Sequence, residues 1–357
     1  MKSNYDILGN HIRLIDTRNR ESITDRVLGI NIDKFFMPSV ANVIGTDLSK
    51  YKLITKGKFA CNPMHVGRDE RLPVALYDEE KPAIVSPAYF MFEVIDNSIL
   101  KEDYLMMWFR RPEFDRICWL HTDGSVRGGI TWDDICRLEL PIPPIENQLE
   151  IVNSYKAITE RIALKQKIND NLDDTAQTLY QKYFESNSDK SSWKQGTVGD
   201  VLQLQRGHDL PRTEMTGGKY PVAGSTGTIG YHDEFTAEAP VIVMGRSGNI
   251  GNPRLYLCNC WTHNTSLYVK QIYEAEPLWV FYLLKNLNYD GFVGGSAVPT
   301  LNRNDVHAYG IAIPPLELQK FFSQKVMSLI YCKEENLSEI EKLQELQKII
   351  LTTMSSR

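Results

Sequence analysis

The chain has no run of about 18 apolar residues, and its first residues, Met1-Lys2-Ser3-Asn4-Tyr5-Asp6, lack the apolar segment of a signal peptide. A membrane span and export are therefore not expected, and a cytoplasmic protein is. No C-x-x-C pair occurs: the six cysteines, at 61, 118, 136, 258, 260 and 332, are scattered as reduced thiols would be rather than paired as a disulfide framework. An excess of positive charge is also lacking. Forty Lys and Arg against forty-five Asp and Glu give a net charge of −5, so bulk composition does not mark a nucleic-acid binder. Nor does splitting the chain change the balance: residues 1–145 hold 19 basic and 21 acidic residues, and 191–313 hold 9 and 10. Any contact with phosphates must come from a local patch.

Catalytic signatures are missing too. The Gly-rich stretches match neither G-x-G-x-x-G after a strand nor G-x-x-x-x-G-K-[ST], and there is no G-x-S-x-G or H-E-x-x-H, so nucleotide-cradling and hydrolase readings have no support. Cys258-x-Cys260 with His263 is too closely spaced for a zinc pair and lacks a fourth ligand. Asn62-Pro63-Met64 lacks the second proline and the aromatic of the N-P-P-[FY] loop of adenine methyltransferases and reads as a turn after a strand.

What is present is a repeat. With 357 residues, 42% hydrophobic and 24% charged, the chain is long enough for more than one buried core and is neither disordered nor fibrous. Ile142-Pro143-Pro144-Ile145-Glu146-Asn147-Gln148 recurs 171 residues later as Ile313-Pro314-Pro315-Leu316-Glu317-Leu318-Gln319. In the same register Ser125 aligns with Ser296, Ile130 with Leu301, Asp134 with Asp305 and Ile135 with Val306.

After each motif the apolar spacing becomes heptad. The first seam runs through Ile151, Ile158, Lys165, Leu172 and Leu179; the second, in the same register, through Phe322, Leu329, Asn336, Leu343 and Ile350. Prolines just before each run and Glu146 and Glu317 in its first turn suit a helix start. Each run predicts a helix of about 40 residues, roughly 60 Å long. The polar seam residues Lys165 and Asn169, and Lys333 and Asn336, specify register at some cost in stability. Pairing of the two helices with each other, as one intramolecular coiled coil, is expected.

Between the helices the chain is rich in short β-type runs and turns. Ala83–Ser86, Pro240–Gly245 and Ser266–Val269 read as strands, Tyr104–Arg111 and Pro277–Lys285 as short helices, and Gly224–Gly230 and Gly245–Gly251 as Gly-punctuated turns. Ser186–Ser192 reads as a polar linker, and Trp119, Trp132, Tyr89, Trp261 and Tyr268 as core aromatics. The chain reads globule, long helix, globule, long helix. This gives an α+β fold class: two mixed α/β globules alternating with two helices that pair antiparallel, a pseudo-twofold tandem duplication. The expected boundaries are 1–145, 146–190, 191–313 and 314–357.

With catalytic signatures absent, the remaining candidates are basic and amide side chains on turn-rich segments. Arg68, Arg71, Arg110 and Arg127 lie in the first globule, and Ser225, Thr226, Arg246, Asn249, Arg254 and Arg303 in the second. Arginine suits bidentate contact with guanine or phosphate, and Asn suits adenine. Gly-turn amides can help hold phosphates.

The duplicated motifs opening long helices, Trp193 with Val198-Gly199-Asp200-Val201, Tyr220–Gly227 with Ile229-Gly230-Tyr231, and Val243–Gly251 together resemble the specificity subunit of a type I restriction-modification system. Met37-Pro38-Ser39, Leu48–Tyr51 and Phe59–Met64 are similar to its target-recognition domains. The resemblance spans the chain. It implies a non-catalytic subunit whose two target-recognition domains each read half of an asymmetric, bipartite site on double-stranded DNA, with the helices setting the gap. It also implies two methyltransferase subunits that bind S-adenosylmethionine and methylate adenine N6, joined by motor-nuclease subunits for restriction, and no cofactor on this chain. Residues 1–145 depart from 191–313 in being longer and more charged. The readings weighed against it are a stand-alone methyltransferase or nuclease and a coiled-coil scaffold.

Overall fold

The structure is a computed structural model that describes residues 4–41, 43–64, 66–122, 128–289 and 300–354. Its contacts divide the chain into two compact units, residues 1–164 with 339–357, and residues 165–338. The division falls inside the long helices rather than at their ends. Each unit therefore combines one globule with part of both helices.

The helices begin where the proline pairs place them, at Ile145–Tyr180 and Leu316–Thr353. The amides of Gln148 and Gln319 bond back to Pro144 and Pro315, so each proline carbonyl closes the first turn while its missing N–H goes unneeded. Beyond Tyr180 the first helix widens into a π turn over Gln181–Glu185, closed by the Ser186 amide on the Gln181 carbonyl at 2.8 Å. The segment expected as a polar linker forms a short 3-10 turn, Ser188–Ser192.

Within each unit the helix segments run antiparallel. In the first, Arg161 meets Glu339 at 2.6 Å and Gln347 donates to Thr159 at 2.7 Å. Ile151, Tyr155, Ile350 and Leu351 pack there against the core holding Val152 and Met354. In the second, Lys333 meets Asp173 at 2.6 Å and Tyr180 packs edge-on to Phe322. Ile151, Ile158, Lys165, Leu172, Leu179, Phe322, Leu329, Asn336, Leu343 and Ile350 are all buried or half-buried. The polar seam residues find one another: Asn336 donates to Asn169 and accepts from Lys165, both at 2.8 Å.

Each globule holds two sheets of three or four strands besides a two-stranded pair, and the connectivity repeats. In the first unit, strands 12–14, 90–94, 58–61 and 74–77 lie side by side, all antiparallel. In the second, 202–206, 266–272, 241–245 and 251–256 do the same in the same chain order. The other sheet contains an antiparallel hairpin, 27–30 with 36–38 or 220–224 with 227–232, whose first strand pairs parallel with 83–85 or 261–262. Among the described residues, only the first unit adds strand 52–54 and helices Val66–Asp69 and Pro112–Leu120. The extra length of residues 1–145 is thus inserted into a shared topology.

Each globule is closed near its junction with a long helix by an antiparallel strand pair, 5–7 with 139–141 or 194–197 with 310–313. Just before it stands a five-residue helix, Trp132–Cys136 or Arg303–His307, separated by the 171-residue offset. Both are capped by the preceding side chain: Thr131 and Asp134 form a capping box, and Asn302 accepts from the Asn304 amide.

The last residue of the I-P-P-x-E-x-Q motif joins helix to globule. Gln148, fully buried, accepts from the Lys101 amide at 3.0 Å and donates to Ile99 and Pro143 carbonyls, each at 2.8 Å. Gln319, 1% exposed, accepts from the Glu276 amide and donates to the Pro314 carbonyl, both at 2.9 Å. Lys101 and Glu276 immediately precede the globule helices Glu102–Phe109 and Pro277–Asn286. Around these joints lie separate apolar cores, one built on Phe59, Phe92, Phe109 and Phe114 and the other on Trp279, Tyr180 and Phe322. Each such side chain contributes about 1.5–3 kcal/mol on burial.

Replacing Gln148 or Gln319 by Leu strands the Lys101 or Glu276 amide, and should destabilise the protein by about 1–3 kcal/mol. Denaturant titration reads the loss, and hydrogen exchange should quicken at that amide but not at its counterpart. Asn336→Ala removes the shared partner of Asn169 and Lys165. A thermal midpoint unchanged from the parent protein would contradict the role given to this layer.

Candidate nucleic-acid interface

In the second unit the strand ends at one edge of the two sheets bring four connections together: residues 207–209, the two-residue turn Ser225-Thr226, the loop 246–250, and 263–265. Thr265 ties three of them. Its hydroxyl accepts from the Ser225 amide at 3.3 Å and lies 2.9 Å from His263 Nδ1, while its carbonyl accepts from the Arg246 amide at 3.1 Å. Asn249 crosses between loops, donating from Nδ2 to the Ser225 carbonyl at 3.2 Å and accepting from Asn252 at 2.8 Å.

Two glycines permit this crowding. A Cβ on Gly245 would stand 1.5 Å from the Asn249 carbonyl oxygen, so only glycine fits. Gly227, at φ +122°, lies under the Arg254 guanidinium, whose Cζ would be 3.2 Å from an added Cβ. The glycine spacing predicts one turn over Gly224–Gly230. The turn is instead confined to Ser225-Thr226, and Gly227–His232 continue as a strand paired with Tyr220–Gly224.

The charge at this edge is local, as the neutral bulk composition requires. Arg206, Arg246 and Arg254 form no ion pair among the described residues; Arg206 reaches only the Asn264 carbonyl, at 3.5 Å. Asp209, the nearby acid, accepts from Asn264 instead. Ser225, Thr226, Arg246, Asn249 and Arg254 are therefore gathered on one edge. Arg303 is not part of this linkage: it opens the short helix Arg303–His307, whose His307 Nε2 accepts from the Leu204 amide at 2.8 Å. Burial, with the Arg303 charge, holds the His307 imidazole below its ordinary pKa and favours the neutral form that can accept.

The corresponding edge of the first unit, matched by chain order, carries the hairpin turn 31–35 and the connection 62–73. Arg68 and Arg71 lie on that connection, but unlike their counterparts both are paired. Arg68 reaches Asp69 at 2.6 Å and Arg71 reaches Asp33 of the hairpin turn at 2.9 Å. The segment Asn62-Pro63-Met64 follows the strand ending at Cys61, with the Met64 amide on Asn62 Oδ1 at 3.1 Å.

Beside Asp33, Lys34 holds a positive φ of 68°, a conformation that costs a side-chain-bearing residue about 1–2 kcal/mol. Its side chain is 5% exposed and donates to the Phe109 carbonyl at 2.5 Å and Asp115 Oδ1 at 2.7 Å. Burial pushes the Lys34 ammonium pKa down, and the Asp115 carboxylate opposes that shift. Arg110, exposed, caps the end of Glu102–Phe109 and lines a cavity of about 670 Å³ with Arg71, Arg116 and Trp119. Trp119 is 40% exposed there rather than in the core, because it lies on the outer face of Pro112–Leu120. Tyr268 is buried, whereas Trp261 is half-buried. Arg127 and the Ser125 and Ser296 pair lie outside the described residues.

Among the described residues no group of three or more His, Cys, Asp or Glu is placed to hold a metal. Sequence reading passed over Thr265 and Lys34. A threonine in a turn and a lysine between an aspartate and two phenylalanines carry no signal until the fold shows what they bond.

Residues 190–349 match a family model described as the type I restriction modification DNA specificity domain. Over 397 aligned residues the chain is 22% identical to a Methanocaldococcus jannaschii protein provisionally named the type I restriction enzyme MjaX specificity subunit, covering 98% of this chain and 88% of that one. It is 21% identical over 141 residues to the type I restriction enzyme EcoprrI specificity subunit of Escherichia coli, covering 38% of this chain and 35% of the other. Among solved structures, the S subunit of the type I restriction-modification system from M. genitalium superposes with a TM-score of 0.62 at 17% identity, over 99% of this chain and 96% of that one. The I-P-P-x-E-x-Q duplication, the repeated sheet topology and these matches point the same way: residues 190–349 match the type I restriction modification DNA specificity domain, and the chain shares the fold of the type I restriction-modification S subunit from M. genitalium.

Proposed function

We propose that the chain is the DNA-reading, non-catalytic specificity subunit of a type I restriction-modification system. Each globule reads one half of a bipartite site on double-stranded DNA. The observation that carries this is the loop edge of the second unit, where Arg206, Arg246 and Arg254 stand without acidic partners beside Asn249 and two close-packed glycine turns. Uncompensated guanidiniums attract a polyanion, and a fixed carboxamide can discriminate bases. The first unit presents Arg68, Arg71 and Arg110 on a differently built edge, so the two half-sites differ and the full site is asymmetric.

Chemistry in this reading belongs to partners. Two methyltransferase subunits supply S-adenosylmethionine and methylate adenine N6 after extruding the base, and motor-nuclease subunits add restriction. The outer faces of residues 146–185 and 317–354 serve as docking surfaces for the methyltransferases. No described helix is long and apolar enough to cross a membrane, which accords with a cytoplasmic place of action.

Modified-base sequencing of DNA from a methylation-free host expressing the chain with its methyltransferase should show N6-methyladenine confined to one split, asymmetric motif. Its absence, with both proteins soluble and associated, would count against the reading. In binding assays on that motif, Arg254→Gln should weaken affinity alike for all sequences and lower the salt slope by about 1. Asn249→Ala should relax one base position by about 1–3 kcal/mol. Affinity for duplex DNA that does not fall with salt would favour a scaffold instead.

A further inference from the structure

We infer that Lys34 and Asp115 form a positioning pair that sets the base discrimination of the first half-site. The inference rests on the DNA-reading function proposed above. Four segments meet at this pair. Lys34 projects from the hairpin turn 31–35, its Nζ donating to the Phe109 carbonyl at the end of helix Glu102–Phe109 and to Asp115 on helix Pro112–Leu120. The same Asp115 Oδ1 accepts from the Leu72 amide at 3.0 Å, where the connection 62–73 returns to its strand. One ammonium and one carboxylate therefore fix both recognition loops of this edge to each other and to the helix beside them.

The surroundings explain why the pair locks rather than merely touches. Lys34 Nζ lies 4.6 Å from the Phe114 ring centre, and Phe109, Phe114, Cys61 and Cys118 are buried in the core alongside. With Lys34 5% and Asp115 13% exposed, both charges are largely withdrawn from solvent. The more exposed Arg71–Asp33 pair, 51% and 67%, joins the same two loops at the surface. Its guanidinium can turn toward DNA while the buried pair keeps the loops in place. In the second unit the equivalent tie is neutral and direct, Asn249 to the Ser225 carbonyl. Among the described residues of the second unit, no lysine–aspartate pair ties the corresponding loops, so the effect should be confined to one half-site.

The test separates folding from positioning. Lys34→Met alone leaves Asp115 buried without its cation and should lower the thermal midpoint. Adding Asp115→Asn removes the stranded charge, retains an acceptor for the Leu72 amide and should recover much of that loss. In complex with the methyltransferase, modified-base sequencing of the double variant should show one half of the wild-type motif degenerate, with discrimination there reduced roughly tenfold or more. The other half should be unchanged. Discrimination equal to the wild type at both halves overturns the inference, as does equal loss at both. A wild-type chain that writes no split motif overturns the functional reading and this inference with it.

Discussion

A buried carboxamide at the mouth of each long helix governs what the rest of the molecule can do. Gln148 and Gln319 each satisfy the amide that opens a globule helix and a proline carbonyl at the start of a long one. A side chain that is fully buried and bonded at both ends leaves little freedom between the elements it connects. The strand pair and the five-residue helix beside it repeat in both units, so the same frame is built twice. The candidate reading loops lie at the opposite edge.

That edge is solved in two physical ways. The second unit holds its loops with amides, a hydroxyl and glycine close approach, leaving its guanidiniums unpaired. In the first unit, charges fill the same role: a buried lysine on an aspartate, and surface arginines on neighbouring carboxylates. The sheet connectivity is common to both, so the contrast lies in side chains and in the helices Val66–Asp69 and Pro112–Leu120 added to the first unit.

Much of the architecture was legible in the sequence because it is written in periodicity and repetition. The heptad spacing gave the two long helices, and the 171-residue offset aligned Asp134 with Asp305 and Ile135 with Val306, which lie in two short capped helices that share little composition and were not themselves foreseen. Strands such as Val241–Gly245 and Ser266–Ile272 were readable as apolar runs. The correspondence between the two globules was not readable, since a sheet order depends on pairings between residues distant in sequence. The candidate arginines were visible as residue types only. Whether each is paired, like Arg71, or unpaired, like Arg254, depends on neighbours that the fold brings in from elsewhere. Trp119 shows the converse: an aromatic belongs to a core only if its helix face does.

The placement of the glutamine joints has an evolutionary consequence. Substitutions in residues 31–35, 62–73, 225–226 or 246–250 lie at the far edge of a sheet from the joint and leave the frame's hydrogen bonds untouched. A lineage could therefore explore new reading surfaces one globule at a time while keeping a scaffold that still folds. Change at Gln148 or Gln319 would offer no such path.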